Sequence, residues 1–221
     1  MKSTSSILKS SILGGFAISI AAFCYVMTQG SIIGALLFSF GLLTVVLYNF
    51  GLYTGQAGFF QTFDEYGDVM LVLLGNVIGC LLGACICVLS SIDNSVPSVF
   101  IENALNARFA DNGIDAIKLI AKAVGCGFIM TVAVKLARTV KISQNFIYVL
   151  PLLLGVPIFL ISGFFHSVVD AFYLSYGFIS PNISMGNAEM ILLRICDWWL
   201  VVLGNLLGCN LIRIISWNKQ I

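Results

Sequence analysis

The chain has 221 residues, of which 59% are hydrophobic and 10% charged, with a formal net charge of +1 and a mean hydropathy of +1.02. That composition excludes a soluble domain, and the near-neutral charge excludes nucleic acid as an electrostatic partner. With roughly 20 apolar residues needed to cross a ~30 Å hydrocarbon core, the sequence reads as an all-α polytopic membrane protein with room for about six spans.

In chain order, Lys2 and Lys9 precede a first apolar run over 12–28. The run is longer than the core of a signal peptide and lacks a small-residue cleavage site, so it reads as a retained first span. Gln29 and Gly30 turn into a second span from Ile32, which is interrupted over 48–56. Asn49, Gly51, Thr54 and Gly55 are poor helix continuers there. After the acidic patch Asp64, Glu65 and Asp68 comes a third span over 69–89. The polar stretch 90–115, with Pro97, is the longest loop and has room for a short surface helix. A fourth span covers 117–136, with Lys135, Arg138 and Lys141 at its end. The next apolar stretch, 146–178, is too long for one untilted helix and too short for two with a loop. Gly155 and Pro157 predict a kink in it, and Ser162 with Gly163 a break just before His166. The last span runs over 190–215 towards Trp217 and Lys219, an aromatic and basic interface anchor.

Orientation follows from lysine and arginine. With both termini in the cytoplasm, Lys2, Lys9, Lys135, Arg138, Lys141, Arg213 and Lys219 lie inside, and chiefly Arg108, Lys118 and Arg194 lie outside.

Leu74-Gly-Asn-Val-Ile-Gly-Cys80 in the third span matches Leu203-Gly-Asn-Leu-Leu-Gly-Cys209 in the sixth. Each half of the chain also has an interrupted middle span. Repeats of three spans, 10–92 and 114–217, must enter the membrane in opposite senses. The expected architecture is therefore a single channel domain of two inverted three-helix repeats, with broken second and fifth helices meeting near the midplane. The glycines of the motif also suit close helix contacts.

His166 is the sole histidine and lies in an apolar run. An ionisable group at membrane depth marks a transport path or proton site by default. The seven cysteines lie almost entirely in apolar runs, without the spacing of a disulfide framework or zinc site, and read as packed thiols. No metal or other cofactor is expected.

Ser162-Gly-Phe-Phe-His-Ser-Val-Val-Asp170 resembles the Gly-(Phe/Tyr)-Glu-His-Ser-(Ile/Val)-Ala-Asn signature of the formate–nitrite transporter family. Leu52-Tyr-Thr-Gly55 resembles that family's Leu-Phe-Thr-(Ser/Gly) loop, and the Leu-Gly-Asn-x-x-Gly copies resemble its third and sixth helices. The resemblance implies an aquaporin-like protomer in a homopentamer of the bacterial-type inner membrane, each protomer having its own pore for formate, nitrite or hydrosulfide. It makes His166 the central pore histidine and Thr54 the loop threonine facing it. It further implies that Leu42 and Phe159 form the cytoplasmic-side constriction and that Tyr53 belongs to the opposite one.

The departures from the signature concern charge. Phe165 stands where the family has Glu, Asp170 where it has Asn, and Gly127 where a fourth-span Asn is usual. Lys118 and Lys122 are the candidates to replace the family's fourth-span lysine, and Lys122 is a candidate partner for Asp170. Asp170 lies one helical turn beyond His166, so the two would couple if they share a cavity. The alternative function is a neutral-solute pore of aquaporin or urea-channel type, although no Asn-Pro-Ala pair occurs. A membrane-embedded enzyme is not expected, because one His and one Asp supply no catalytic constellation.

Overall fold

A computed structural model describes residues 3–59, 63–91, 95–139 and 149–215. The expected anchors Trp217 and Lys219, together with Lys2 and Lys141, lie outside the described residues. Among the described residues the chain forms eight helices: α1 (Thr4–Met27), α2 (Ile32–Leu47), α3 (Phe63–Ser90), α4 (Ser95–Asn106), α5 (Gly113–Thr139), α6 (Leu150–Ile161), α7 (Ser167–Ile179) and α8 (Ala188–Ile215). Within α1, α3, α5 and α8 are runs of 24 to 28 residues long and apolar enough to cross a membrane. At 1.5 Å per residue these runs measure about 36–42 Å, more than the hydrocarbon core requires.

The other apolar helices are too short to do so alone. α2 has 16 residues and α6 and α7 have 12 and 13. Each is bounded by the chemistry the sequence supplies. Ser31 caps α2 by accepting from the Gly34 N–H. Left-handed Asn49 (φ 52°) follows the end of α2, and left-handed Gly163 (φ 67°) follows the end of α6. The long apolar stretch expected over 146–178 is thus two half-helices separated by Ser162–His166. The short surface helix expected in the 90–115 loop is α4, which buries Ile101 and Leu105 and packs on α7 and α1.

The long helices associate as two tight pairs, α1 on α3 and α5 on α8. Missing side chains allow the close approach. A Cβ on Gly15 of α1 would lie 2.1 Å from the Asn76 carbonyl oxygen of α3, and one on Gly127 of α5 would lie 2.3 Å from that of Asn205 in α8. In bilayer-embedded helices such contacts replace the hydrophobic drive that water would supply. α2 packs on α6 and α3 on α7, so the short helices and the two breaks lie between the long pairs.

Candidate functional site

Backbone that leaves a helix at membrane depth must find hydrogen-bond partners within the protein, because burying an unpaired amide costs about 2–7 kcal/mol. Two buried asparagines supply them. The Asn76 Oδ1 accepts from the Tyr53 N–H at 2.8 Å, and its Nδ2 donates to the carbonyls of Gly51 and Ser11, both at 2.8 Å. The Asn205 Oδ1 accepts from the Ser167 N–H at 2.8 Å, and its Nδ2 donates to the carbonyls of Phe165 at 2.9 Å and Ala123 at 2.8 Å. Each asparagine comes from one copy of Leu-Gly-Asn-x-x-Gly-Cys. Each holds the peptide groups on either side of one residue, Leu52 in the first break and His166 in the second.

The cysteines of the two copies brace the breaks crosswise. The Cys80 Sγ of α3 donates to the Val168 carbonyl, in the first turn of α7 beyond the second break, at 3.3 Å, and the Cys209 Sγ of α8 to the Thr54 carbonyl of the first at 3.5 Å. Sequence reasoning saw close-packing glycines and packed thiols in this motif. It missed the asparagine as the anchor, though an amide with two donors and two acceptor lone pairs, placed in an apolar run, was a sufficient signal.

Between these anchors the breaks touch. The His166 Nε2 lies 2.8 Å from the Thr54 Oγ1. His166 is also the N-cap of α7, its Nδ1 accepting from the Val169 N–H at 3.4 Å. With Nδ1 an acceptor, the ring proton belongs on Nε2, which donates to Thr54. Both residues are almost wholly buried, and the N-terminal end of α7 adds positive potential at the histidine. The Phe159 ring stacks on the imidazole, with centroids 5.6 Å apart and planes at 30°.

Leu42 is fully buried in the same cluster as Phe38, Leu52 and Phe159. Phe38, which the sequence reading did not single out, meets Phe159 edge-on at 6.3 Å. Tyr53 is tied in a different direction. Its hydroxyl donates to the Val202 carbonyl of α8 at 3.1 Å, and its N–H is held by Asn76. Its contacts make it an anchor of the loop, and Phe38 is the aromatic that faces Phe159.

The ion-pair partner of Asp170 is Arg108, in the turn directly after α4. The Arg108 Nε donates to the Asp170 Oδ1, and its Nη1 donates to the Ala104 carbonyl at 2.8 Å. The guanidinium carbon lies 4.4 Å from the Phe165 ring centroid and 5.0 Å from that of Tyr173. The pairing of Asp170 with a fourth-span lysine is therefore corrected. Lys118 is exposed and bonds Asp115 at 2.9 Å, one turn back on its own helix. The Lys122 Nζ sits 4.7 Å from the Phe165 ring centroid. Asp170 is in the first turn of α7, which packs on α4, so the chain leaving α4 brings a cation to it.

These groups border an open vestibule of about 370 Å³ lined by Tyr25, Phe100, Arg108, Phe164, Phe165 and Tyr173. A chain of aromatic contacts runs inward from it. Phe100 meets Tyr25 at 5.7 Å, Tyr25 meets Phe38 at 6.4 Å, and Phe38 leads through Phe159 to His166. These apolar rings surround one titratable hydrogen-bonding group, which could offer a small solute a proton or a hydrogen bond. Among the described residues no group of His, Cys, Asp and Glu side chains is arranged to hold a metal ion.

A family model described as formate/nitrite transporter matches residues 1–218. The fold is similar to a solved pentameric formate channel with formate bound, with a TM-score of 0.80, 18% identity and 98% of each chain covered. It is also similar to an ion channel of the same family, with a TM-score of 0.79, 16% identity, and 96% of this chain and 88% of the other covered. A sequence search of curated proteins finds no match.

Proposed function

The chain belongs to the formate/nitrite transporter family, and from that premise we propose that it is a homopentameric membrane channel whose every protomer conducts a small monovalent anion of the formate, nitrite or hydrosulfide class past His166. It is an integral membrane protein with no catalytic role. The single observation that carries the reading is the hydrogen bond between His166 and Thr54, which joins two broken helices under a stacked Phe159. The pentamer is supported by the likeness to a solved pentameric channel.

The protomer has six spans: α1, α2 with the loop after it, α3, α5, α6 continued by α7, and α8. They form two inverted repeats with both termini in the cytoplasm of a bacterial-type inner membrane. The hydrogen bonds that Asn76 makes to the first break match those that Asn205 makes to the second, and the bond of Cys80 to Val168 matches that of Cys209 to Thr54; both likenesses support the repeat.

The mechanism follows from the cost of charge in a dry passage. An anion entering between Phe38, Leu42 and Phe159 loses its hydration, and an isolated charge there is expensive. The Nε2–H of His166 can turn from Thr54 to the anion, and the positive N-terminal end of α7 favours negative charge in the same place. If the imidazole is protonated it can also pass a proton, so that the solute continues as a neutral acid that apolar walls do not impede.

Flux into proteoliposomes tests the reading. Formate, nitrite or hydrosulfide should enter faster than into empty liposomes, and glycerol and urea should not. Entry of glycerol or urea with no anion flux would favour a neutral-solute pore and overturn the proposal.

A further inference from the structure

Arg108 forms the wall between two spaces. On one side is the vestibule of about 370 Å³. On the other is a narrow pocket of about 10 Å³, lined by Leu105, Asp170, Leu174, Arg194, Trp198 and Val201 as well as Arg108. The two members of the ion pair are unequally accessible, with the Arg108 side chain 17% exposed and that of Asp170 only 3%. Among the described residues Arg108 is the only salt-bridge partner of Asp170. A solute in the vestibule therefore meets the guanidinium and not the carboxylate behind it. The rings of Phe165 and Tyr173 hold the guanidinium in place, and Phe165 immediately precedes His166 in the chain.

We propose that Arg108 is an anion-docking side chain of the vestibule and that Asp170, from behind, sets how tightly it holds the anion. This inference rests on the anion-channel reading. A site on a conduction path must bind well enough to load and weakly enough to release. An arginine without a counter-charge, stacked on two rings and partly withdrawn from water, would retain an anion as a carboxylate-binding site does. Asp170 supplies a permanent competitor for the same donors. The other cations near the pair are Arg194 in the narrow pocket and Lys122 on the Phe165 ring. Neither bonds Asp170, so its effect on the vestibule passes through Arg108.

Initial rates of formate uptake into proteoliposomes, measured against formate concentration, test this with Asp170→Asn, Arg108→Gln and the double variant. Asp170→Asn should lower the half-saturating concentration about fivefold, the size of one partly exposed charge interaction, and lower the maximal rate as release slows. Arg108→Gln should raise half-saturation and keep the maximal rate, and the double variant should match Arg108→Gln. An Asp170→Asn shift that persists without Arg108, or that moves the pH profile and not half-saturation, would overturn the proposal in favour of direct coupling to His166. Should Asp170→Asn fail to assemble on size-exclusion chromatography, Arg108→Gln decides alone, and unchanged half-saturation overturns the proposal. A wild-type protein that carries no formate, nitrite or hydrosulfide overturns both this inference and the channel reading. Wild-type flux with an indifferent Arg108→Gln overturns this inference only.

Discussion

Replacing Asn205 with Leu keeps most of the side-chain volume and removes every hydrogen bond of the second anchor. The Ala123 carbonyl lies inside α5 and keeps its helical partner, so the groups left unpaired are the Ser167 N–H and the Phe165 carbonyl. At about 1–3 kcal/mol for each buried orphan, the cost is about 2–6 kcal/mol. That is a large part of the about 5–15 kcal/mol that stabilises a typical domain. The prediction is a clearly lower melting temperature in detergent and loss of formate flux in the assembled fraction, because the two orphans flank His166. Asn205→Asp should fall between the two, since one carboxylate oxygen still accepts from Ser167 while the other faces the Phe165 carbonyl. Asn76→Leu should cost a similar amount, through the Tyr53 N–H and Gly51 carbonyl. Intrinsic fluorescence melts with parallel flux assays read both effects. An Asn205→Leu protein that melts with the wild type and conducts normally would refute the anchoring argument.

His166→Phe is predicted to abolish or strongly alter anion flux while the oligomer persists on size-exclusion chromatography, and unchanged flux with an unchanged pH dependence would count against a central role for the histidine. Leu42→Ala combined with Phe159→Ala is predicted to raise conductance or loosen selectivity, measured as the ratio of formate to acetate uptake, and an unaltered ratio and rate would remove both from the constriction. Gly127→Ala is predicted to lower thermal stability, because the new Cβ would sit 2.3 Å from the Asn205 carbonyl oxygen and force α5 away from α8. A melt indistinguishable from wild type would show that the pair tolerates separation.

The course of the helices was legible wherever the signal was local. Asn49, Ser162 and Gly163 mark the ends of α2 and α6 as poor helix continuers, and the structure ends those helices within two residues of them. His166 was legible because one imidazole in an apolar run has no inexpensive alternative explanation. Its contact with Thr54 spans 112 positions and was available only through resemblance. The partner of Asp170 was misplaced for a related reason. A carboxylate in an apolar run demands a cation, but sequence distance says nothing about which one. Lys122 on a neighbouring span was a candidate, whereas Arg108 is brought to Asp170 by the short helix α4, which packs on α7. Phe38 was overlooked because one aromatic among many in an apolar helix has no distinguishing pattern. Only its edge against Phe159 sets it apart.

The two asparagine anchors treat the breaks alike, yet the residues they display differ. Asn76 brackets Leu52 between the Gly51 carbonyl and the Tyr53 N–H, as Asn205 brackets His166 between the Phe165 carbonyl and the Ser167 N–H. One residue further along, the carbonyls of Thr54 and Val168 accept from Cys209 and Cys80 respectively. The correspondence thus sets His166 opposite Leu52 in role and Thr54 opposite Val168. The polar contact at the centre, His166 with Thr54, maps onto two fully buried aliphatic residues, Leu52 and Val168. The anchoring bonds themselves require polarity at neither position, since asparagine and cysteine complete them, and the cap that His166 gives α7 uses Nδ1 and leaves the Nε2 contact unexplained. A hydroxyl and an imidazole, each costly to bury alone, occur together at the one pair of positions where they satisfy each other. Under the proposed channel reading, their presence is explained by a solute that meets His166 between the breaks, with Thr54 holding the Nε2–H until a better acceptor arrives.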